Sequence, residues 1–320
     1  IKVYHNEEDR RISIRGPDQD ELPRRESAFF LSLPINTNLE IETEGGDILA
    51  DELQGDIKLI TAGGNLSIEH IKGETVLQST GGNISIKNCQ GRFRAHTSGG
   101  TIELFENQGQ YNVSTLGGDI RLSTVKGELE LMTIGGSIFA HNLAGEKLHC
   151  RSSSGSIIAE EINGNFVCQT QDGNIQVKSL KGLCNLTTTN GNIVMDYLRG
   201  TLVIDATNGN IIGENIFGPI QAYTSSGDID FKISYDSGSA DYSISLETVS
   251  GNIDVSVPKN LPVTIEAEIQ GGKMAGVISS DIPILLEDTD SNIFAKGQVN
   301  EGTIPMILFT GRGHITIREN

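Results

Sequence analysis

Glycine recurs in this chain with a period that few folds can satisfy. The peptides EGGDI, AGGNL, TGGNI, SGGTI, LGGDI and IGGSI end at Ile48, Leu66, Ile84, Ile102, Ile120 and Ile138, a step of 18 each time. SSGSI then ends at Ile157, one residue late, and Ile175, Ile193, Ile211 and Ile229 resume the step of 18. A second series, Gly55, Gly73, Gly91, Gly109, Gly127, Gly145, Gly164, Gly182, Gly200 and Gly218, lies halfway and divides each repeat into two nine-residue halves. A fixed period of this length marks a stack of like units, each too small to bury its own apolar face.

Within a half the pattern alternates. The second and fourth residues after a turn glycine are apolar, as in Ile84 and Ile86 or Ile120 and Leu122, and the same holds after the mid-repeat glycine, as in Ile57 and Leu59 or Phe166 and Cys168. Period-two alternation over a few residues is a strand with one buried face. A further apolar column, Leu53, Ile71, Val125, Leu143, Ile162, Leu180, Leu198 and Ile216, closes the first half. Stacked in register at about 4.8 Å, these strands form a parallel β-solenoid with an isoleucine ladder inside. The Ser/Thr column Thr61, Ser79, Thr97, Thr115, Thr133, Ser152, Thr170 and Thr188 faces inward by strand parity and reads as a hydroxyl ladder for turn backbone. Glycines are expected to supply positive φ at the bends, helped by the Asn and Asp that follow them, such as Asn65, Asn83 and Asp119. Five or six buried side chains at roughly 1.5–3 kcal/mol each cannot offset about 1.5 kcal/mol of ordering per residue, so one coil alone does not fold.

The expected architecture is all-β: a single parallel β-solenoid of about fifteen 18-residue coils, two main strands per coil. Residues 1–40 are expected to cap it with short strands around Ile12 to Ile14 and Ala28 to Leu33. Residues 41–232 form the regular array, and 233–320 form irregular coils whose first long loop is Lys232 to Ser243. Handedness is not fixed by the pattern; analogy with related solenoids favours the right hand. The 320-residue length, above the usual size of one core, is compatible with one array because solenoids grow in one dimension.

With 42 acidic against 24 basic residues, the net charge of −18 disfavours nucleic acid and anionic membrane surfaces. No run of 18 apolar residues is present, so no transmembrane segment is expected in the sequence.

The GG[D/N]I units, the SLPINTNLEIETEGGDI stretch, the VSVPKNLPVTIEAE segment and the closing TGRGHITI together resemble a bacterial adhesin family of β-solenoid domains of otherwise undefined function, related in style to autotransporter-adhesin heads. The resemblance covers roughly residues 30–320. It implies an extracytoplasmic, cell-envelope protein, with a leader removed before Ile1, and it carries no catalytic motif onto this chain.

Several solenoid chemistries make specific demands on the repeat. Acyltransferases on left-handed β-helices need an apolar residue every six positions, but Lys72 and Lys126 fall six beyond Leu66 and Ile120. Calcium rolls need a third glycine where GGDIRL and GGNISI place Ile. Glu160, Glu161, Asp196 and Glu214 are the acids for a carbohydrate-active site, yet the outward column Glu160, Lys178, Asp196, Glu214, Lys232 alternates in sign like cross-strand ion pairs. Cys150 and Cys168 should stack inward on adjacent coils, as small hydrophobes or as a disulfide; Cys184 also points in, and no CxxC suggests zinc. The histidines His5, His70, His96, His141, His149 and His314 form no motif, and Tyr197 and Tyr223 look too isolated for a sugar track. Ice binding would need an outward Thr array, whereas this one points in. No cofactor and no metal is expected.

One outward column departs from the polar norm: Phe139, Ile158, Gln176, Val194 and Ile212. Its four apolar members are the candidate contact surface for an unidentified protein or cell-surface partner. The leading expectation is a non-catalytic, adhesin-like envelope scaffold. The alternatives are a carbohydrate-active β-helix enzyme and an extracytoplasmic sensory or regulatory domain.

Overall fold

The computed structural model describes residues 2–6, 11–15, 30–236 and 242–320. Their regular elements are all β-strands except one 3-10 turn, Gly272–Met274. The chain forms a parallel β-solenoid of about 11 turns at the expected spacing, fewer than the fifteen read from the sequence. It divides into two compact units, Ile1–Leu148 and His149–Asn320. The boundary falls in the repeat whose step is 19 rather than 18.

In the first unit the strands pair in parallel with partners 18 residues apart. Ile84, Ile102 and Ile120 are directly stacked, as are Phe93, Tyr111 and Leu129. The Phe93 and Tyr111 rings lie face to face at 4.9 Å, an in-register aromatic step that fills the core. The inward columns are buried from Leu39 to Leu148, whereas the residues between them stay exposed or half-buried, as alternation requires.

Two side-chain ladders fix the turns. From Thr61 to Thr133 each hydroxyl of the ladder makes two bonds, one to the coil before: Thr97 Oγ1 donates to the Gly82 carbonyl (2.8 Å) and accepts from Gly100 N–H (3.3 Å). Outside, Asn65 Oδ1 accepts from Asn83 N–H, and Asn83 Oδ1 from Thr101 N–H, both at 2.8 Å. These amides therefore satisfy turn backbone as expected, but across coils rather than locally.

The assignment of positive φ to glycine is half right. Mid-repeat glycines such as Gly91 have φ near +142°. The turn glycine does so in the second unit, at Gly209, Gly227 and Gly313, but not at Gly82, where the constraint is proximity, since an added Cβ would lie 1.9 Å from the Gly64 carbonyl oxygen. The left-handed corner is instead a non-glycine column, Glu52, His70, Asn88, Glu106, Thr124 and Asn142, with φ between 51° and 58°. One left-handed residue shifts the parity of the strand, so that Ala50 and Leu53, three apart, both face the core. Only a structure shows that this corner tolerates Glu, His and Thr.

At the N-terminal side, Lys2–Asn6 pairs antiparallel with Arg11–Arg15, and the latter runs parallel to Asn38–Thr43. The expected capping strand at Ile12 to Ile14 is thus present and covers the first strand of the stack. Residues 30–33 of the Ala28 to Leu33 run form no strand, and 28 and 29, like Asp18 to Glu21, lie outside the described residues.

The second unit repeats the pattern, with Ile157, Ile175, Ile193, Ile211, Ile229 and Ile253 in one continuous stack. Its C-terminal part departs from chain order. Strand Ile304–Thr310 lies between Ile244–Ser250 and Val263–Gln270, and Ile315–Glu319 lies between Ile253–Val257 and Ile278–Ser280. The last coil in sequence is therefore inserted inside the stack. Val263–Gln270 is in turn covered by antiparallel Asn292–Gln298, and that strand by antiparallel Ile284–Asp288. Residues expected to add further, irregular coils build this hairpin instead, which lowers the turn count.

Candidate contact surfaces

Within the second unit the outward column lies in register. Ile158, Gln176, Val194 and Ile212 are register partners on successive strands. Ile158 and Val194 are half-buried and Ile212 is 38% exposed. Continuing the register, the column turns acidic at Asp230 and Asp254. Phe139 belongs to the first unit, half-buried, with the Arg121 guanidinium 5.3 Å from its ring centroid. That cation–π contact ties up one face of the ring.

The neighbouring outward column is charged and in register: Glu160 beside Lys178, Lys178 beside Asp196, Asp196 beside Glu214, Glu214 beside Lys232. Lys232 Nζ donates to Glu214 at 2.5 Å, which raises the lysine's pKa, and Asn215 donates to Asp196 at 2.9 Å. Glu160 and Glu161 also have partners. Each of the four candidate acids of a glycosidase is thus engaged, three of them on the ladder and Glu161 at the adjoining corner.

The cysteines are buried, free thiols. They form no disulfide; burial pushes the Cys168 thiol well up, reinforced by its hydrogen bond with Cys150. Burial raises Cys184 likewise. Burial also pushes Cys89 up to about 11, partly opposed by backbone hydrogen bonds from Ile71 and Lys87. A thiol held protonated is a poor nucleophile and a poor metal ligand. Among the described residues, no group of three or more His, Cys, Asp or Glu is placed to hold a metal ion.

His70 Nδ1 lies 3.0 Å from Asp51, His96 Nδ1 lies 2.8 Å from Ser114 Oγ, and His314 Nδ1 accepts from Val277 N–H at 3.2 Å. His141 and His149 are exposed, and the His5 side chain lies outside the described residues. These are dispersed surface contacts.

Three features escaped the sequence reading. Cys89 and Asn107 occupy the apolar column between Ile71 and Val125. Buried Asn107 accepts from Cys89 N–H and donates to the Ile86 carbonyl, each at 2.9 Å, while Tyr111 OH donates to the Cys89 carbonyl at 3.0 Å. A polar residue interrupting an apolar column was the available signal. Leu116, Met132 and Ile134 are 45%, 44% and 48% exposed, where the same repeat positions elsewhere are mostly polar. Tyr197 is not isolated: its ring meets Phe217 at 5.9 Å, and Arg199 spans both, 4.4 Å over Phe217 and bonded to Tyr197 OH and Asp236. The residues sit one coil apart, a relation that chain distance hides. Tyr223 is half-buried and bonded to Ser225 Oγ at 3.1 Å.

Among the described residues no helix is long and apolar enough to cross a membrane. No curated protein and no solved structure matches the chain. The family model that does match is described as Toastrack DUF4097, and it does not confirm the adhesin naming. It matches residues 2–159, 110–211 and 145–317 in overlapping copies, as a repeat array should, and on that coverage the chain belongs to the Toastrack family.

Proposed function

We propose that this protein is a non-catalytic scaffold of the bacterial cell envelope, binding protein or cell-surface partners through the outward faces of its coils. The observation that carries the reading is the column Ile158, Val194 and Ile212, apolar side chains held in register on an outward sheet face and bordered by a charged ladder. An apolar strip with a charged rim is the composition of a contact surface. The carboxylates beside it stand in register with lysines at Glu160–Lys178, Lys178–Asp196 and Glu214–Lys232, the pattern of a cross-strand charge ladder. The envelope location rests on the sequence resemblance to adhesin solenoids.

Fractionating native cells and treating them intact with protease tests the location. Release of fragments of this chain supports a surface scaffold; protection behind the inner membrane rejects it. Replacing Ile158→Asp with Ile212→Asp tests the surface. Loss of cell-surface retention, with circular dichroism unchanged, is expected; unchanged retention moves the binding elsewhere on the chain.

A further inference from the structure

The outermost strand at the C-terminal end of the second unit, Ile284–Asp288, is an open edge. Its one strand partner among the described residues is Asn292–Gln298. Proteins normally blunt such edges with lysine, proline, a bulge or inward charge, because the free N–H and C=O groups otherwise template another strand. The N-terminal end of the first unit follows that logic, with an antiparallel pair laid over Asn38–Thr43. Here the centre of the edge is Leu285 and Leu286, 67% and 52% exposed, on alternate faces of the strand. Pro283 precedes the strand, and no lysine or glycine interrupts it. The 3-10 turn Gly272–Met274, which packs against Asn292–Gln298, adds a fully exposed Met274, and Val277 is 58% exposed.

Charge selects among occupants. Residues 281–290 hold Asp281, Glu287, Asp288 and Asp290 and no basic residue. A second copy pairing antiparallel about Leu285 and Leu286 would set Asp281 against Asp290, and each chain carries a net charge of −18. An antiparallel extended segment with two neighbouring basic residues followed by two apolar ones would instead seat an apolar side chain beside each leucine, one on each face, and a cation beside each of Glu287 and Asp288. We propose that Ile284–Asp288 is a strand-addition site for such an apolar, basic segment of a partner protein. Main-chain hydrogen bonds would give the affinity and the alternate side chains the selectivity. This deepens the binding reading above and rests on it, but uses a different surface.

The test uses the full chain and two fluorescein-labelled short peptides, one of paired lysines followed by paired valines and one of paired glutamates followed by paired valines. Anisotropy is expected to show saturable binding of the lysine peptide, at least about tenfold tighter than the glutamate peptide. Binding should slow amide exchange at 284–288. Leu285→Lys with Leu286→Lys should weaken it by about tenfold or more with the fold intact, and Glu287→Lys with Asp288→Lys should reverse the preference between peptides. Equal binding by wild type and both variants, protection at another segment, or no binding of either peptide overturns the proposal. So does a concentration-dependent dimer in sedimentation velocity that the leucine variant abolishes, which would assign the edge to a second copy. Because Ile158 and Ile212 are untouched, failure here leaves the envelope-scaffold reading to its own test.

Discussion

Gly81 and Gly82 are neighbours in one turn, yet the stack constrains only the second. A Cβ on Gly81 meets nothing within 4 Å, whereas one on Gly82 would lie 1.9 Å from a carbonyl oxygen of the coil before. Gly82→Ala must therefore push two coils apart and is expected to cost about 2–3 kcal/mol, and Gly81→Ala less than about 0.5 kcal/mol. Urea unfolding of the two variants compares them directly. Cys89 allows a second test at this scale, through pH. Its thiol titrates near 9 when unfolded and near 11 when folded, so between those values the unfolded state releases the proton first. The stability tied to this thiol is fully present below pH 9 and is lost as pH rises through about 11, on the order of 2 kcal/mol. Cys89→Ala should show a shallower alkaline decline than the wild type between those limits. Parallel curves for the two proteins would mean that the thiol is not held protonated by burial.

At the scale of the element, the repeat was legible because every coil writes the same instruction. Period, inward face and hydroxyl ladder all follow from columns such as Ile84, Ile102 and Ile120. What escaped was set by neighbours one coil away: the left-handed corner, filled by residues as unlike as Glu52, His70 and Thr124, and the cluster of Tyr197, Arg199 and Phe217. Chemical identity at such sites is free in the single sequence, and geometry comes from the stack. The candidate surface was legible for the same reason as the fold, since Ile158, Val194 and Ile212 are columnar; the open edge at Leu285 was not, since it lies where the period has lapsed. The hydroxyl ladder offers a gain-of-stability test. It is interrupted at Ala206, between Thr188 and Thr224, where the Gly191 carbonyl stands in the position that Gly173 and Gly209 hold toward those threonines. Ala206→Ser adds one small hydroxyl of the kind already used at Ser79, and is expected to stabilise the protein by about 0.5–1.5 kcal/mol. A thermal midpoint at or below the wild-type value would show that the gap is closed in some other way.

For the chain as a whole, stability in a stack is the sum of coil terms and nearest-neighbour interfaces. Through most of both units chain order is stacking order, so a terminal coil holds one interface. The last coil of this chain holds two. Ile304–Thr310 and Ile315–Glu319 are flanked on one side by 244–257 and on the other by 263–280. The amide of His314 is received by Asn252, 62 residues away, where the same ladder elsewhere spans 18. Closing that larger loop costs only about 1 kcal/mol more, so the insertion is cheap once its two faces exist. The consequence is asymmetric: among the described residues, the strands of 258–302 pair with the rest of the stack through the strands of the segment that follows them. Ending the chain at residue 302 should therefore expose more than the coil removed. The covering strands Val263–Gln270, Asn292–Gln298 and Ile284–Asp288 are expected to lose amide protection together and become protease-sensitive, while protection in residues 48–133 stays unchanged. If 263–298 remains protected in the shortened chain, its strand has restacked directly on Ile244–Ser250, and the inserted coil is a spacer rather than the link.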